Sequence, residues 1–327
     1  MIHLPPDLLR PTRFGHILAE HPLQALDIGS RGGFEPDLAP IAFAVDAIGF
    51  EPEPEAFAAL AGQPKGAWRS LRHLPVAVSG ADGERTLYIP RDPQSSSLLE
   101  PDQSVGDAFA KPDFCTVART ATVATRALDS IAGEFGLVRP AFLKLDIEGA
   151  EMEVLNGAPA TVSELLVLKT EIGFVRFRHG QPIAAEIDLA LRDRGFELMD
   201  FFRPARWRIR DSVIAPQAGR DAIPYSRGRI MHGDYLFFRR PETIADPERC
   251  LQLAAIAMAY GFFDHAAQVL ERPEMADWLR RRHGAEVGPL VAEASRRMGR
   301  AAWLRAVAAH LRLMWTYGRS ALNLARN

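Results

Sequence analysis

From about residue 24 to residue 200, short apolar runs alternate with stretches whose apolar residues recur every three or four positions. A mostly parallel sheet covered by helices on both faces gives that alternation, because strands buried on both sides read as continuous apolar runs. The runs predict strands near 24–28, 45–50, 74–79, 142–146 and 165–171. Helical periodicity predicts helices over 53–61, 125–136, 149–157 and 183–194, the last stopped by Gly195. "AVSGADGERTLYIP" (77–90) reads as strand, polar turn at Asp82–Gly83 and strand. "FELMDFF" (196–202) and "DYLFFRR" (234–240) read as closing strands, an antiparallel pair at one edge. Between them, 203–233 is rich in Arg, Pro and Gly and reads as a long loop.

After Pro241 the pattern becomes helical throughout, which divides the chain into an α/β domain over 1–241 and a helical C-terminal domain over 242–327. In its last segment Arg305, Arg312, Arg319 and Arg326 are spaced seven apart, while Leu304, Val307, Leu311, Met314, Ala321 and Ala325 share a seam. Seven Arg against one Glu over 288–327 leave a formal charge of +6. Three readings suit such a helix: packing on its own domain, a homodimer seam, or contact with an anionic membrane surface.

Composition narrows the classes. The formal net charge of -2 gives no overall basic excess pointing to nucleic acid. Cys115 and Cys250 lie far apart without metal-ligand spacing, and the N-terminal "MIHLPPDLLRPTRFGHIL" lacks the apolar core of a secretion signal. A reducing cytoplasm, with peripheral membrane contact as an option, is the expected compartment. No apolar run reaches the roughly 18 residues that span a bilayer.

The first chemical signal is "ALDIGSRGG" (25–33), where Asp27 ends a strand and Gly29, Gly32 and Gly33 follow. The spacing is D-x-G-x-x-G, not the G-x-G-x-x-G that presents helix N–H groups to a pyrophosphate. Glu51 ends the next strand in "AIGFEPEPEAF", where a carboxylate can accept hydrogen bonds from both ribose hydroxyls. Together these favour S-adenosylmethionine, with Glu51 on its ribose and the Gly29–Gly33 turn beside its amino-acid portion.

The second signal is "LKLDIEGAEMEVLNGA" (143–158). Lys144, Asp146 and Glu148 alternate in a strand and its exit, so they lean to one face. Gly149 permits the turn into a helix whose first turn holds Glu151. Methyl transfer to a hydroxyl benefits from a base or a metal near the acceptor oxygen. Asp146 suits that role, with Glu148 assisting and Glu171, in "LLVLKTEIGF", as a third carboxylate on the rim. Asp146 and Glu171 can also hold a divalent cation such as magnesium. Equally, Lys144 can neutralise Asp146 in a purely structural cluster.

"FLKLDIEGAEMEVLNGA" closely resembles the signature of FkbM-type methyltransferases, and "LDIGSRGG", "GFEPEPE", "QSSSLL", "TRALDSI", "LKTEIGF" and "RGFELMDF" occur in family order over about 20–240. The resemblance implies a Rossmann-like methyltransferase fold, S-adenosylmethionine as donor and usually O-methylation of sugars or secondary metabolites. It puts Asp27, Gly29, Ser30, Arg31, Gly32 and Glu51 at the cofactor and brings Val78 and Ser79 to the adenine. Family members more often carry Asn and an apolar residue where Ser30 and Arg31 stand. Ser95, Ser96 and Ser97 read either as a polar loop able to close over the site or as a flexible connector.

His179 and His232 are further acceptor-side candidates in expected loops, and Arg203, Arg206, Arg208 and Arg210 with Trp207 form a patch suited to an anionic or sugar-bearing acceptor. The expected activity is O-methylation of a hydroxyl on a glycan, glycolipid or small metabolite. A NAD-dependent oxidoreductase and a non-catalytic nucleoside-binding or interaction module are the alternatives.

Overall fold

The computed structural model describes residues 4–209 and 228–324. Helix α1 (Arg13–Glu20) begins at Thr12, whose hydroxyl accepts from the Gly15 N–H, and leads into β1 (Leu23–Ile28). A 3-10 segment, Pro36–Ala44, feeds β2 (Val45–Phe50). Next come α2 (Pro54–Ala61), opened by a proline at its first turn and capped by Glu53, and β3 (Ser70–Leu74). A side sheet is built from β4 (Ala77–Val78), β5 (Gly83–Pro90) and β6 (Val117–Arg126), with short helices α3 (Gln103–Ala108) and α4 (Pro112–Cys115) between β5 and β6. Then follow α5 (Leu128–Phe135), β7 (Phe142–Leu145), α6 (Glu151–Gly157), α7 (Pro159–Glu164), β8 (Val167–Gly173), α8 (Ala184–Asp193), β9 (Phe196–Trp207) and β10 (Arg229–Arg239). The chain ends in α9 (Pro247–Tyr260), α10 (Phe263–Leu270), α11 (Pro273–His283) and α12 (Val287–Leu324).

The main sheet has the order β3-β2-β1-β7-β8-β10-β9. The first five strands are parallel; β10 runs antiparallel to β8, and β9 antiparallel to β10. This is a Rossmann-like, doubly wound arrangement with an antiparallel closing edge. β1 and β7 are fully or almost fully buried, so their apolar runs have no solvent face to alternate towards. On one face α1, the 3-10 segment and α9–α12 form a continuous apolar core, including Phe14, Leu38, Phe142, Phe238, Leu253 and Met298. On the other, α5, α6 and α8 pack residues such as Leu128, Val154 and Ile187 against Leu26, Leu143 and Phe237. The helical C-terminal region therefore shares its core with the sheet across residue 242.

Three expectations change. The run at 74–79 is not one strand: Pro75 follows β3, and the chain leaves the main sheet so that Ala77 and Val78 pair with Thr125 and Arg126 of β6. The helix expected over 125–136 starts only at Leu128, because 117–126 is a mostly exposed strand paired with β5. The loop expected over 203–233 is shorter, since β9 extends to Trp207 and β10 begins at Arg229. β9 is the sheet edge, where Pro204 can be accommodated without a central ladder bond.

Candidate active site

The strand order reverses between β1 and β7, and a cleft of about 1040 Å³ opens there at the carboxyl ends of the strands. Its walls include Gly29, Arg31, Gly32, Gly33, Glu51 and Val78, together with Lys144, Asp146, Glu148 and Glu171. Leu87, Ile89 and Val123 of the side sheet cover it, together with Ser96 and Ser97.

The glycine turn sits between the ends of β2 and β7. Gly29 has φ +90°, and a Cβ there would lie 2.0 Å from the Asp146 carbonyl oxygen, so this close approach requires glycine. The Gly29 and Ser30 N–H groups both donate to Phe50 O, at 3.2 and 3.1 Å. The segment that follows is 3-10, not α, and carries Pro36 and Pro40, which have no N–H. The turn therefore offers no helix N-terminus to a pyrophosphate.

Of the cofactor residues expected from sequence, Gly29, Arg31, Gly32, Glu51 and Val78 line the cleft. Asp27, Ser30 and Ser79 are buried behind it. One Asp27 oxygen accepts from the Glu35 N–H at 2.8 Å and the other pairs with Lys144 at 3.2 Å, so Asp27 ties the glycine turn to β7. Ser30 Oγ lies 3.4 Å from His73 Nδ1, and Ser79 Oγ donates to Ala81 O in its own turn. Glu51 keeps one oxygen on the Glu53 N–H at 2.9 Å; burial raises its pKa, against the pull of that N–H and of Arg31.

Asp146, Glu148 and Glu171 converge: an oxygen from each lies within 4.8 Å of the others. Each already has a partner. Lys144 Nζ lies 3.3 Å from Asp146 as well as close to Asp27. Burial alone would lower the Lys144 pKa, but Asp27, Asp146 and Glu35 override it and keep the ammonium charged. Arg178 Nη2 donates to Glu148 at 2.6 Å and to Ser95 O at 2.9 Å. His232 Nδ1 lies 2.8 Å from Glu171. Burial pushes the Glu148 carboxyl up to about 7, with Asp146 and Glu151 adding repulsion and Arg178 opposing it. Burial and the neighbouring carboxylates raise Glu171 well above its ordinary value, while burial lowers His232. Both members of the Glu171–His232 pair therefore resist charge.

Glu148 has φ +62°, a left-handed conformation that costs a non-glycine residue about 1–2 kcal/mol. Ser97 Oγ, donating to Glu148 O at 2.8 Å, and the Arg178 pair hold it there. Ser97 is thus bonded into the site, and buried Ser95 donates to Asp92 O and Phe114 O, so these serines brace the cleft instead of forming a free lid. Glu151, in the first turn of α6 as expected, also turns back to accept the Ile147 and Gly149 N–H groups at 3.1 and 3.0 Å, fixing the turn that presents Glu148.

His232 belongs to the site, whereas His179 is exposed and its N–H donates to Glu100 O. Among the described residues, Trp207 does not join the arginines in an exposed patch. Trp207 is buried with Phe177 and Met231, Arg203 reaches Glu35 at 3.5 Å, and Arg206 Nη1 donates to Gly228 O. Arg210 lies outside the described residues.

A second buried network went unseen in the sequence. Lys169 on β8 lies 2.7 Å from Asp37, 3.0 Å from Glu35 and 3.5 Å from Asp234, and Tyr260 of α9 donates to Asp37 at 3.0 Å. Glu35 and Arg203 of this network also line the cleft. A lysine inside the apolar run "LLVLKTEIGF" was the available signal, because a buried ammonium demands carboxylates.

The sequence profile of the FkbM methyltransferase domain matches residues 34–198, just over half of the chain. The chain belongs to the FkbM methyltransferase family. The FkbM match spans the 3-10 segment through the start of β9 and includes Glu51, Val78, Asp146, Glu148 and Glu171; the glycine turn up to Gly33 precedes it. No curated protein matches the chain. A solved Streptococcus pneumoniae structure, Sp1610, described as a candidate tRNA (m1A22) methyltransferase, shares 9% identity with this FkbM-family chain, covering 88% of it and 96% of its own chain at a TM-score of 0.30. A likeness at that score carries no argument about fold or substrate.

Proposed function

We propose that this methyltransferase takes its methyl group from S-adenosylmethionine and delivers it to a hydroxyl of a sugar, glycan, glycolipid or related metabolite. The observation that carries the reading is one cleft lined both by Glu51 with the glycine turn and, next to that turn, by three converging carboxylates. S-adenosylmethionine supplies an electrophilic methyl on a sulfonium sulfur. Glu51 is suited to the ribose hydroxyls, Val78 to the adenine face, and the Gly29–Gly33 turn to the amino-acid portion. Asp146, at the open side of the cluster, orients the acceptor hydroxyl. As the C–O bond forms and the C–S bond breaks, the hydroxyl proton passes to the carboxylates, where Glu148 has a pKa matched to neutral pH. The products are a methyl ether and S-adenosylhomocysteine. Nicotinamide chemistry is disfavoured because the Gly29 and Ser30 N–H groups are committed to Phe50 O. Binding of both adenosyl ligands, with NAD as the rival, tests the reading.

A pH dependence follows. The proton-accepting form of Glu148 is the carboxylate, so turnover is expected to rise with pH through about 7 and to be lost below it. Glu148→Gln should remove that inflection; a pH–rate profile that keeps it would assign the titration elsewhere.

The spacing of the three carboxylates favours one second reading, a divalent cation held by Asp146 and Glu171. Lys144, Arg178 and His232 already balance or occupy the cluster, so the expected result is an unchanged rate after chelation. A rate abolished by chelator and restored by magnesium would establish the cation instead.

A further inference from the structure

α12 is 38 residues long, but only its beginning belongs to the body of the protein. Val287, Leu290, Ala294 and Met298 are buried in the core, Glu293 accepts the Arg13 N–H at 3.0 Å, and Arg297 donates to Leu8 O at 2.6 Å. Beyond Met298 no described side chain of the helix is buried. Trp303, Leu304, Leu311, Met314 and Trp315 are 60–69% exposed and Val307 is 38% exposed. At 3.6 residues per turn these six fall within about a third of the helix circumference. Arg305, Arg312 and Arg319 run down the flank beside Trp315, and the guanidinium of Arg319 lies 4.7 Å from the centre of the Trp315 ring.

From Ala294 to the C-terminus the sequence holds seven Arg and no Asp or Glu. That charge pattern selects the occupant. A second copy of the helix, in either orientation, would bring arginines together with no acid to compensate them. A nucleic acid would neutralise the arginines but leave two tryptophans and their aliphatic neighbours in water. An anionic lipid surface satisfies both faces, since apolar side chains enter the acyl boundary, indole rings favour the headgroup level, and guanidiniums meet phosphates. We propose that α12 beyond Met298 lies in the headgroup layer of an anionic lipid surface and docks the protein there. Among the described residues no helix is long and apolar enough to cross a membrane, so the contact is peripheral.

The test is independent of catalysis: co-sedimentation of the whole chain with vesicles of phosphatidylcholine alone or mixed with phosphatidylglycerol. Two variants, Trp303→Ser/Leu311→Ser/Trp315→Ser and Arg305→Gln/Arg312→Gln/Arg319→Gln, are compared after circular dichroism and thermal unfolding show an unchanged body. Binding is expected only with the anionic lipid, with a loss of about tenfold or more in each variant. Failure to bind anionic vesicles, equal binding to neutral ones, or a solution dimer dissolved by the tryptophan and leucine substitutions would overturn the proposal.

Discussion

Asp146→Asn is expected to lower methyl transfer by about 10²–10⁴-fold while leaving S-adenosylmethionine binding within a factor of about two, the range associated with loss of one carboxylate from the cluster that orients the hydroxyl and receives its proton. Asp146 contributes no hydrogen bond to the glycine turn through its side chain; its carbonyl closes against Gly29 and its N–H donates to Ile28 O at 3.1 Å. Those backbone contacts survive the amide substitution. What changes is the carboxylate beside Lys144 and across from Glu148 and Glu171. Single-turnover rates and calorimetric affinities separate the two effects. Turnover near the unsubstituted level would remove Asp146 from the chemistry and leave it as the counter-ion of Lys144.

Lys169→Met is expected to cost about 3–5 kcal/mol of stability near neutral pH, because it leaves Glu35, Asp37 and Asp234 buried without their shared ammonium. Burial would lower the Lys169 pKa, but Asp37, Glu35 and Asp234 hold it above 10.5; burial would raise Asp37, but Lys169 and the Tyr260 hydroxyl hold it below 3.8. The signs define the window. The raised lysine stabilises the fold at pH values below its unfolded pKa and loses that effect as pH rises through the folded one. The depressed aspartate stabilises the fold above its ordinary value and loses that effect as pH falls through the folded one. The gap between variant and parent should therefore be widest between about pH 5 and 9 and narrow in acid. Urea unfolding across that range measures it; a difference below about 1 kcal/mol at neutral pH would mean that the network adds little to stability.

The main sheet was legible because its inner parallel strands are buried on both faces and so appear as largely apolar runs, as in "LQALDI" and "FLKL", whose Asp27 and Lys144 pair with each other. The side sheet was not: β6, "VARTATVATR", is mostly exposed and has no apolar run to reveal it. Arg and Pro content made the far half of β9 look like loop, although an edge strand tolerates both. The three carboxylates could be anticipated from their places at strand exits. Their partners could not, since Arg178 is 30 residues from Glu148 and Lys169 is 132 from Asp37. Only the fold brings them together. The heptad of arginines was visible in the sequence, and the structure carries it through Arg319; Ala325 and Arg326 lie outside the described residues, as does the side chain of Ala321.

The most direct measurement is calorimetric titration of the whole chain with S-adenosylmethionine and S-adenosylhomocysteine, repeated on Glu51→Ala and with NAD. Binding of both adenosyl ligands, weakened by about 10-fold or more when the buried Glu51 hydrogen bonds are removed, and no binding of NAD, is the predicted result. An absence of adenosyl binding, or a preference for NAD, would contradict the assignment of the cleft.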